Sequence, residues 1–204
     1  MSKRWHKERA RDFYYKHAKQ LGLRSRAAFK LIEIAKKFNI FKRGYIVLDL
    51  GAYPGGWLQV ASRAVGKSGL VIGVDLKPVK DLGFSNVILI VGDVCDESTH
   101  EKIVKVLPRK ADVILSDISP KLTGVWPTDM AKHYYLIDCV LMLVLKVLKQ
   151  GGTAVIKAFQ GGEERELIAR LCAMFNEVHK LKPKASKPKS RELYLVCLGF
   201  RGSN

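Results

Sequence analysis

VLDLGAYPGGW, from Val47 to Trp57, reads as a buried parallel strand ending in an acid, followed by a glycine-rich turn that opens a helix. That arrangement makes a nucleotide-shaped pocket at the carboxyl end of a sheet strand. A dinucleotide fingerprint needs G-x-G-x-x-G, so that backbone can approach a pyrophosphate at the helix N-terminus. Here the order is Gly51, Ala52, Tyr53, Pro54, Gly55, Gly56, and the second glycine of that pattern is missing. The G-K-[ST] ending of a P-loop is missing too. A cofactor with an adenosine but no phosphates fits the turn better, and S-adenosylmethionine is the obvious one.

Outward from this turn, apolar strand-like runs alternate with helical patterns, which signals an α/β fold with a mostly parallel sheet. Strands are predicted over residues 46–50, 70–75, 87–91, 113–117 and 153–159, with two more around 178–181 and 193–199. Helices are predicted over 25–38, 56–65, 97–107, 129–148 and 163–174. The close spacing of the last two strands predicts a hairpin at one edge. With no internal repeat, low-complexity tract or linker, residues 1–204 read as one domain carrying a basic N-terminal extension over 1–24.

Three acids fall at the same edge of such a sheet. Asp49 closes the first strand and Asp75 the second, 24 residues after Gly51. That is near the ~20-residue offset at which an acid meets ribose hydroxyls in nucleotide-binding sheets. A carboxylate accepts from both hydroxyls at once, which is why an acid belongs there. Asp93, after the third strand, is placed to accept from an adenine amino group. Any one of these acids alone would read as a helix cap or a solvated loop residue; three in register with a glycine turn point to a nucleoside cofactor.

Strand four ends in ILSDISP, with Asp117, and strand five reads TAVIKAF, with Lys157 near its carboxyl end. An ammonium among Val155, Ile156, Ala158 and Phe159 is anomalous in a central strand. Burial disfavours its charged form and can suit a lysine to act as a base; a strand-end lysine snorkelling to water is the plain alternative. Glu192 opens the last strand in SRELYLV. Lys30 sits at the margin of a helical apolar face made by Ala28, Leu31, Ile34, Ala35 and Phe38. Periodicity alone would leave both at the surface.

The 204 residues are 48% hydrophobic and 27% charged, an ordinary globular balance with room for a sizeable core. The charge is not ordinary: 36 Lys and Arg against 19 Asp and Glu leave +17. Such an excess favours a polyanionic partner, although basicity also serves solubility. Its distribution decides: ten Lys/Arg and two acids lie between Met1 and Lys30, interleaved with Trp5, Phe13, Tyr14 and Tyr15. Six more basic residues and no acid lie between Lys180 and Arg191, where Pro183 and Pro188 are expected to keep the segment extended. Aromatics among basic residues suit base stacking on RNA. The four widely spaced cysteines, Cys95, Cys139, Cys172 and Cys197, show no zinc spacing and are expected to be buried reduced thiols. The N-terminal stretch lacks the apolar run of a secretory signal, and the apolar run from Leu136 to Leu148 is too short to span a bilayer. A soluble cytoplasmic protein without a metal or a membrane partner is expected.

The chain resembles the FtsJ/RrmJ family of RNA ribose 2′-O-methyltransferases, close to its ribosomal large-subunit members. The match runs in order through RSRAAFKL, DLGAYPGGW, GVDL, GDV, LSDISP, VIKAF and SRELYLV, nearly the whole chain. The combination is specific although no single piece is. The resemblance implies a Rossmann-like methyltransferase sheet of strand order 3-2-1-4-5-7-6 with strand seven antiparallel. It puts a Lys-Asp-Lys-Glu catalytic set on Lys30, Asp117, Lys157 and Glu192. It puts cofactor contacts on Gly55, Trp57, Asp75, Asp93 and Asp117, beside the Asp49, Gly51 and Gly56 of the turn itself. It also implies a monomer acting on RNA and not DNA, with a uridine of large-subunit ribosomal RNA as the first-choice target and transfer RNA as the second. Two departures bear on substrate preference: Lys121 stands where bacterial members carry Asn, and Tyr53 replaces a small residue. No appended RNA-binding domain is expected after Gly199.

Two rivals share parts of this pattern. A nicotinamide dehydrogenase would share the sheet and Asp75 but not the broken glycine pattern. A non-catalytic RNA-binding protein with a methyltransferase fold would have no need of all four catalytic residue types. SDISP, where DNA amino-methyltransferases carry an N-P-P-Y-like stretch, favours a ribose oxygen over a base nitrogen.

Overall fold

IVLDL and ADVILS are buried at every position, as strands covered on both faces must be. A computed structural model describes residues 13–161, 164–187 and 190–202 of the chain. In it these two runs form β1 (Ile46–Leu50) and β4 (Ala111–Ser116), adjacent and parallel at the centre of a seven-stranded sheet. The remaining strands are β2 (Leu70–Asp75), β3 (Val87–Val91), β5 (Leu148–Phe159), β6 (Phe175–Leu181) and β7 (Glu192–Phe200). Their order is β3-β2-β1-β4-β5-β7-β6, and β7 runs antiparallel to both β5 and β6. The chain turns to β2 on one side of β1 and to β4 on the other, so a crevice opens at the carboxyl ends of these two strands.

Six helices flank the sheet among the described residues: α1 (Phe13–Gln20), α2 (Ala28–Phe38), α3 (Gly56–Val65), α4 (Glu97–Val106), α5 (Trp126–Val147) and α6 (Glu164–Met174). Side chains alternate between faces along each strand. Ile46, Leu48 and Leu50 join the core with residues of α4, α5 and α6. Val47, Val113, Leu115, Val155, Tyr194 and Val196 join the opposite core with Leu31 and Ile34 of α2 and Trp57 and Leu58 of α3. Continued by the same period of two, this second set of rows leads to Asp49, Asp117, Lys157 and Glu192. The candidate site therefore lies where one sheet face reaches its carboxyl edge beneath α2.

Several sequence expectations are corrected. Cys95 and Cys139 are joined by a disulfide, Cys172 is exposed, and only Cys197 is a buried thiol. Scattered spacing conceals the pair because the contact lies between the loop after β3 and the middle of α5. The bridge closes a separation of 44 residues, for which loop entropy gives about 4 kcal/mol of stabilisation. A Cys95→Ser/Cys139→Ser variant, or the native protein melted in a reductant, is expected to lose roughly 10 °C in Tm. An unchanged midpoint would show that the bridge adds no stability.

Helix α1 was not foreseen, because a lone run of mixed aromatic and basic residues carries no clear period. It is held by tertiary contact: Ala18 is buried, and the His17 ring stacks on Phe29 of α2 with centroids 5.2 Å apart. Residues 1–12, with Trp5, lie outside the described residues, as does Pro188. The basic run after β6 is not extended: Ser186 N donates to Pro183 O at 2.8 Å, making a turn whose Ala185 and Ser186 are buried. Helix α5 starts at Trp126 rather than at 129, while β5 starts at Leu148 and β6 at Phe175, ahead of their predicted bounds. Among the described residues no helix is long and apolar enough to cross a membrane.

Candidate active site

Gly51 begins the site because only glycine suits it. Its φ is +81°, and a Cβ there would stand 3.0 Å from the main-chain nitrogen of Ile118. The β1 turn and the segment after β4 can thus touch, and Asp117 N donates to Leu50 O at 3.1 Å. Beyond them lies a cavity of about 650 Å³ whose lining includes Gly51, Tyr53, Asp75, Asp93, Asp117 and Lys121.

Two of its acids are fastened by backbone. Asp75 accepts from Tyr53 N and from Lys77 N, each at 2.9 Å. Asp93 accepts from Cys95 N at 2.9 Å. Carboxylates have lone pairs to spare beyond such bonds, so both remain able to receive a ligand hydroxyl or amine. Asp49 is not in the lining: Leu50 closes the strand, and Asp49 is fully buried with neither carboxyl oxygen hydrogen-bonded. Burial first, then the nearby Asp117 and Asp75 carboxylates, push its pKa well above the usual range. Gly55, Gly56 and Trp57 also lie outside the lining, at the start of α3. Trp57 is a strut, its Nε1 donating to Ala27 O at 2.8 Å and its ring tilted against Tyr194 at 5.6 Å.

The four catalytic candidates come together beside this cavity. Lys157 Nζ lies 3.0 Å from Asp117 Oδ1 and donates to Asp117 O at 3.1 Å. Lys30 Nζ is ion-paired with Glu192 Oε1. Both lysines are more than nine-tenths buried, at 8% exposure for Lys157 and 9% for Lys30. Lys30 is therefore not a surface lysine, because α2 lies across the sheet face and turns the margin of its apolar side inward.

Tyr194, which the sequence reading passed over, joins the two pairs. Its hydroxyl donates to Asp117 Oδ1 at 2.6 Å, accepts from Lys30 Nζ at 3.2 Å and stands 3.2 Å from Glu192 Oε1. Burial above all, with the Asp117 and Glu192 carboxylates behind it, holds the phenol protonated by raising its pKa well above the ordinary value. The signal was available in SRELYLV: Tyr194 is two residues from Glu192, hence on the same face, and is the register partner of Lys157. A tyrosine in a strand reads first as packing, which hid its polar role.

A second unforeseen group lies under Lys157. His133 of α5 is 1% exposed, its ring edge-on to Phe159 at 4.5 Å. Burial, and next the Lys157 ammonium, bring its pKa down to about 4. The Lys157 main chain pulls the other way, but weakly, since neither ring nitrogen has a hydrogen bond of normal geometry. An imidazole neutral in the fold and titrating near 6.5 when unfolded costs stability as pH falls from 6.5 toward 4. At pH 5 the loss is about 2 kcal/mol. Denaturant melts of His133→Leu at pH 7.5 and pH 5 are expected to show a pH slope flatter by that amount than the native protein; equal slopes would remove His133 from the acid limb.

Among the described residues no cluster of side chains could hold a metal ion. The arrangement is a cavity whose acids can bind hydroxyl and amino groups and whose wall shares Asp117 with the lysine network. Residues 23–200 match the family model of the FtsJ-like methyltransferases. A ribosomal RNA large subunit methyltransferase E of Methanocaldococcus jannaschii is 43% identical over 203 residues, covering 98% of this chain and 83% of that protein. The protein of the same name from Stutzerimonas stutzeri is 42% identical over 202 residues, covering 98% and 97%. The crystal structure of a ribosomal RNA methyltransferase from Plasmodium falciparum superposes with a TM-score of 0.77 at 34% identity, covering 88% of this chain and all of that one. With its fold, its cavity and these relatives in agreement, the chain belongs to the FtsJ-like methyltransferase family.

Proposed function

We propose that the protein transfers a methyl group from S-adenosylmethionine to a ribose 2′-hydroxyl of large-subunit ribosomal RNA, a uridine being the first-choice nucleotide. The observation that carries this reading is the Lys157–Asp117–Tyr194–Lys30–Glu192 network, joined through Asp117 to a cavity whose acids suit an adenosine. The cofactor fits the chain's donor set. Asp75, held by two amides, would receive ribose hydroxyls and Asp93 an adenine amine, and the glycine turn lacks the dinucleotide spacing.

S-adenosylmethionine supplies an electrophilic methyl on a sulfonium. A ribose hydroxyl is a poor nucleophile, so the protein must align it and manage its proton. Lys157 is the base or hydroxyl-orienting group, and Asp117 fixes its Nζ through both side chain and main chain. Tyr194 passes the constraint to Lys30 and Glu192, which set the charge around Lys157 and steer the ribose. The basic segments before α2 and after β6, joined among the described residues by the Arg26 bond to Ala185 O, would grip phosphates. A monomeric cytoplasmic enzyme is part of the same reading.

The test is incubation with labelled S-adenosylmethionine and, separately, large ribosomal subunits, free large-subunit RNA and transfer RNA, followed by mapping of the label. Label on a ribose 2′-oxygen of large-subunit RNA is expected. Label confined to transfer RNA, or found on a base, would overturn the reading.

A further inference from the structure

Beside the lysine network, on the α5 side, the protein exposes an aromatic surface that neither its fold nor the chemistry above uses. Trp126 opens α5 and is 38% exposed. The Arg191 guanidinium lies over its ring, 4.4 Å from the centroid. The indole meets the edge of Phe159 at 6.4 Å and an interplanar angle of 74°. Among the described residues no carboxylate pairs with Arg191.

This surface is built and not incidental. Asp129 accepts from Thr123 N and Thr123 Oγ1, each at 2.7 Å, and from Gly124 N at 3.0 Å. These bonds pin the segment that leads into Trp126 while Leu122 and Val125 stay 60% and 57% exposed. From the other side, Gln160 N donates to Arg191 O at 2.8 Å. That bond extends the β5–β7 ladder one step beyond the Phe159–Glu192 pair. Arg191 is thereby anchored next to Glu192, and Phe159 is two strand residues from Lys157, roughly 7 Å along β5.

We propose that Trp126 and Arg191 form a stacking platform for the base of an unpaired nucleotide flanking the methylated ribose. An indole face topped by an unpaired guanidinium offers what a single-stranded nucleotide presents: a π-surface to stack and a phosphate to neutralise. Arg serves better than Lys because its plane stacks as well as carrying charge. The platform rests on the RNA-methylation reading and deepens it. It makes the RNA enter Lys157 as an unstacked strand, with one base parked while the neighbouring ribose is methylated.

The test compares the native protein with Trp126→Ala, Trp126→Phe and Arg191→Lys for methyl transfer to large-subunit RNA at varied RNA concentration. Base–aromatic stacking is worth about 1–3 kcal/mol by alanine substitution, about 5- to 150-fold in affinity. Trp126→Ala is expected to raise the KM for RNA within that range, with the effect concentrated in KM rather than kcat and with the Kd for S-adenosylmethionine unchanged. Trp126→Phe recovers most of it, and Arg191→Lys keeps the salt dependence while losing affinity. In a Trp5→Phe background, a short single-stranded oligoribonucleotide is expected to quench emission that Trp126→Phe removes. An unchanged KM in Trp126→Ala, or a raised KM that phenylalanine does not rescue and that no quenching accompanies, would overturn the platform. Failure of the native protein to methylate any RNA would overturn the methylation reading instead, and the quenching experiment would still decide the platform.

Discussion

Lys157→Ala is expected to lower kcat for methyl transfer by about 10³- to 10⁴-fold, or about 4–5.5 kcal/mol of barrier. The cavity is lined by other residues, so on the proposed function the Kd for S-adenosylmethionine should stay within about twofold. The size of the loss follows from placement. Lys157 Nζ is held at two points on Asp117, 3.0 Å from Oδ1 and 3.1 Å from the carbonyl oxygen, in a strand that cannot shift between β4 and β7. No other amine of the network reaches that position, since Lys30 is engaged with Glu192 and Tyr194. Lys157→Met, which keeps the aliphatic stem, separates loss of the amine from loss of packing and should be equally inactive. Single-turnover rates with pre-bound cofactor measure the effect, and near-native turnover in either variant would remove Lys157 from the chemistry.

Asp75→Ala is expected to show the reverse pattern, with the damage in cofactor affinity. Hydrogen bonds to a charged acceptor are worth about 1.5–3 kcal/mol each, so losing the ribose acceptor should weaken S-adenosylmethionine by about 100-fold. The same change frees Tyr53 N and Lys77 N, which now meet the carboxylate at 2.9 Å each. The turn that forms the cavity wall loosens with them, which adds to the loss. Asp75→Asn retains one acceptor oxygen and should fall between, at about tenfold. Isothermal titration with S-adenosylmethionine reads both variants. A native Kd for Asp75→Ala would mean that the ribose is held elsewhere.

Much of this site could be read from the chain, and the reasons are physical. Central strands such as IVLDL were legible as apolar runs that end near an acid, whereas their order came only as an implication of the family resemblance. Asp75 was legible because it ends an apolar run at a known offset from the glycine turn, and Asp93 because it follows the next apolar run. What could not be read is what requires two distant segments to meet. The burial of Lys30 depends on α2 lying over the sheet, and a helical wheel shows only that Lys30 is marginal. Tyr194 and His133 belong to elements whose apolar character explains them without any chemistry. The Cys95–Cys139 pairing joins a loop to a helix and leaves no spacing rule behind. Trp126 was lost for a simpler reason: the predicted start of α5 fell three residues after it.

Asp117 stands on the border of two sites, and that has a thermodynamic consequence. Its Oδ1 is committed to Tyr194 and Lys157, while the residue also lines the cavity. A ligand that draws on this carboxylate from the cavity alters how firmly the ammonium of Lys157 is held, and a ribose that engages Lys157 alters what the carboxylate can offer in return. Linkage requires the two effects to be equal: the factor by which donor changes affinity for RNA is the factor by which RNA changes affinity for donor. One shared carboxylate thus ties the filling of the cavity to the engagement of the lysine network.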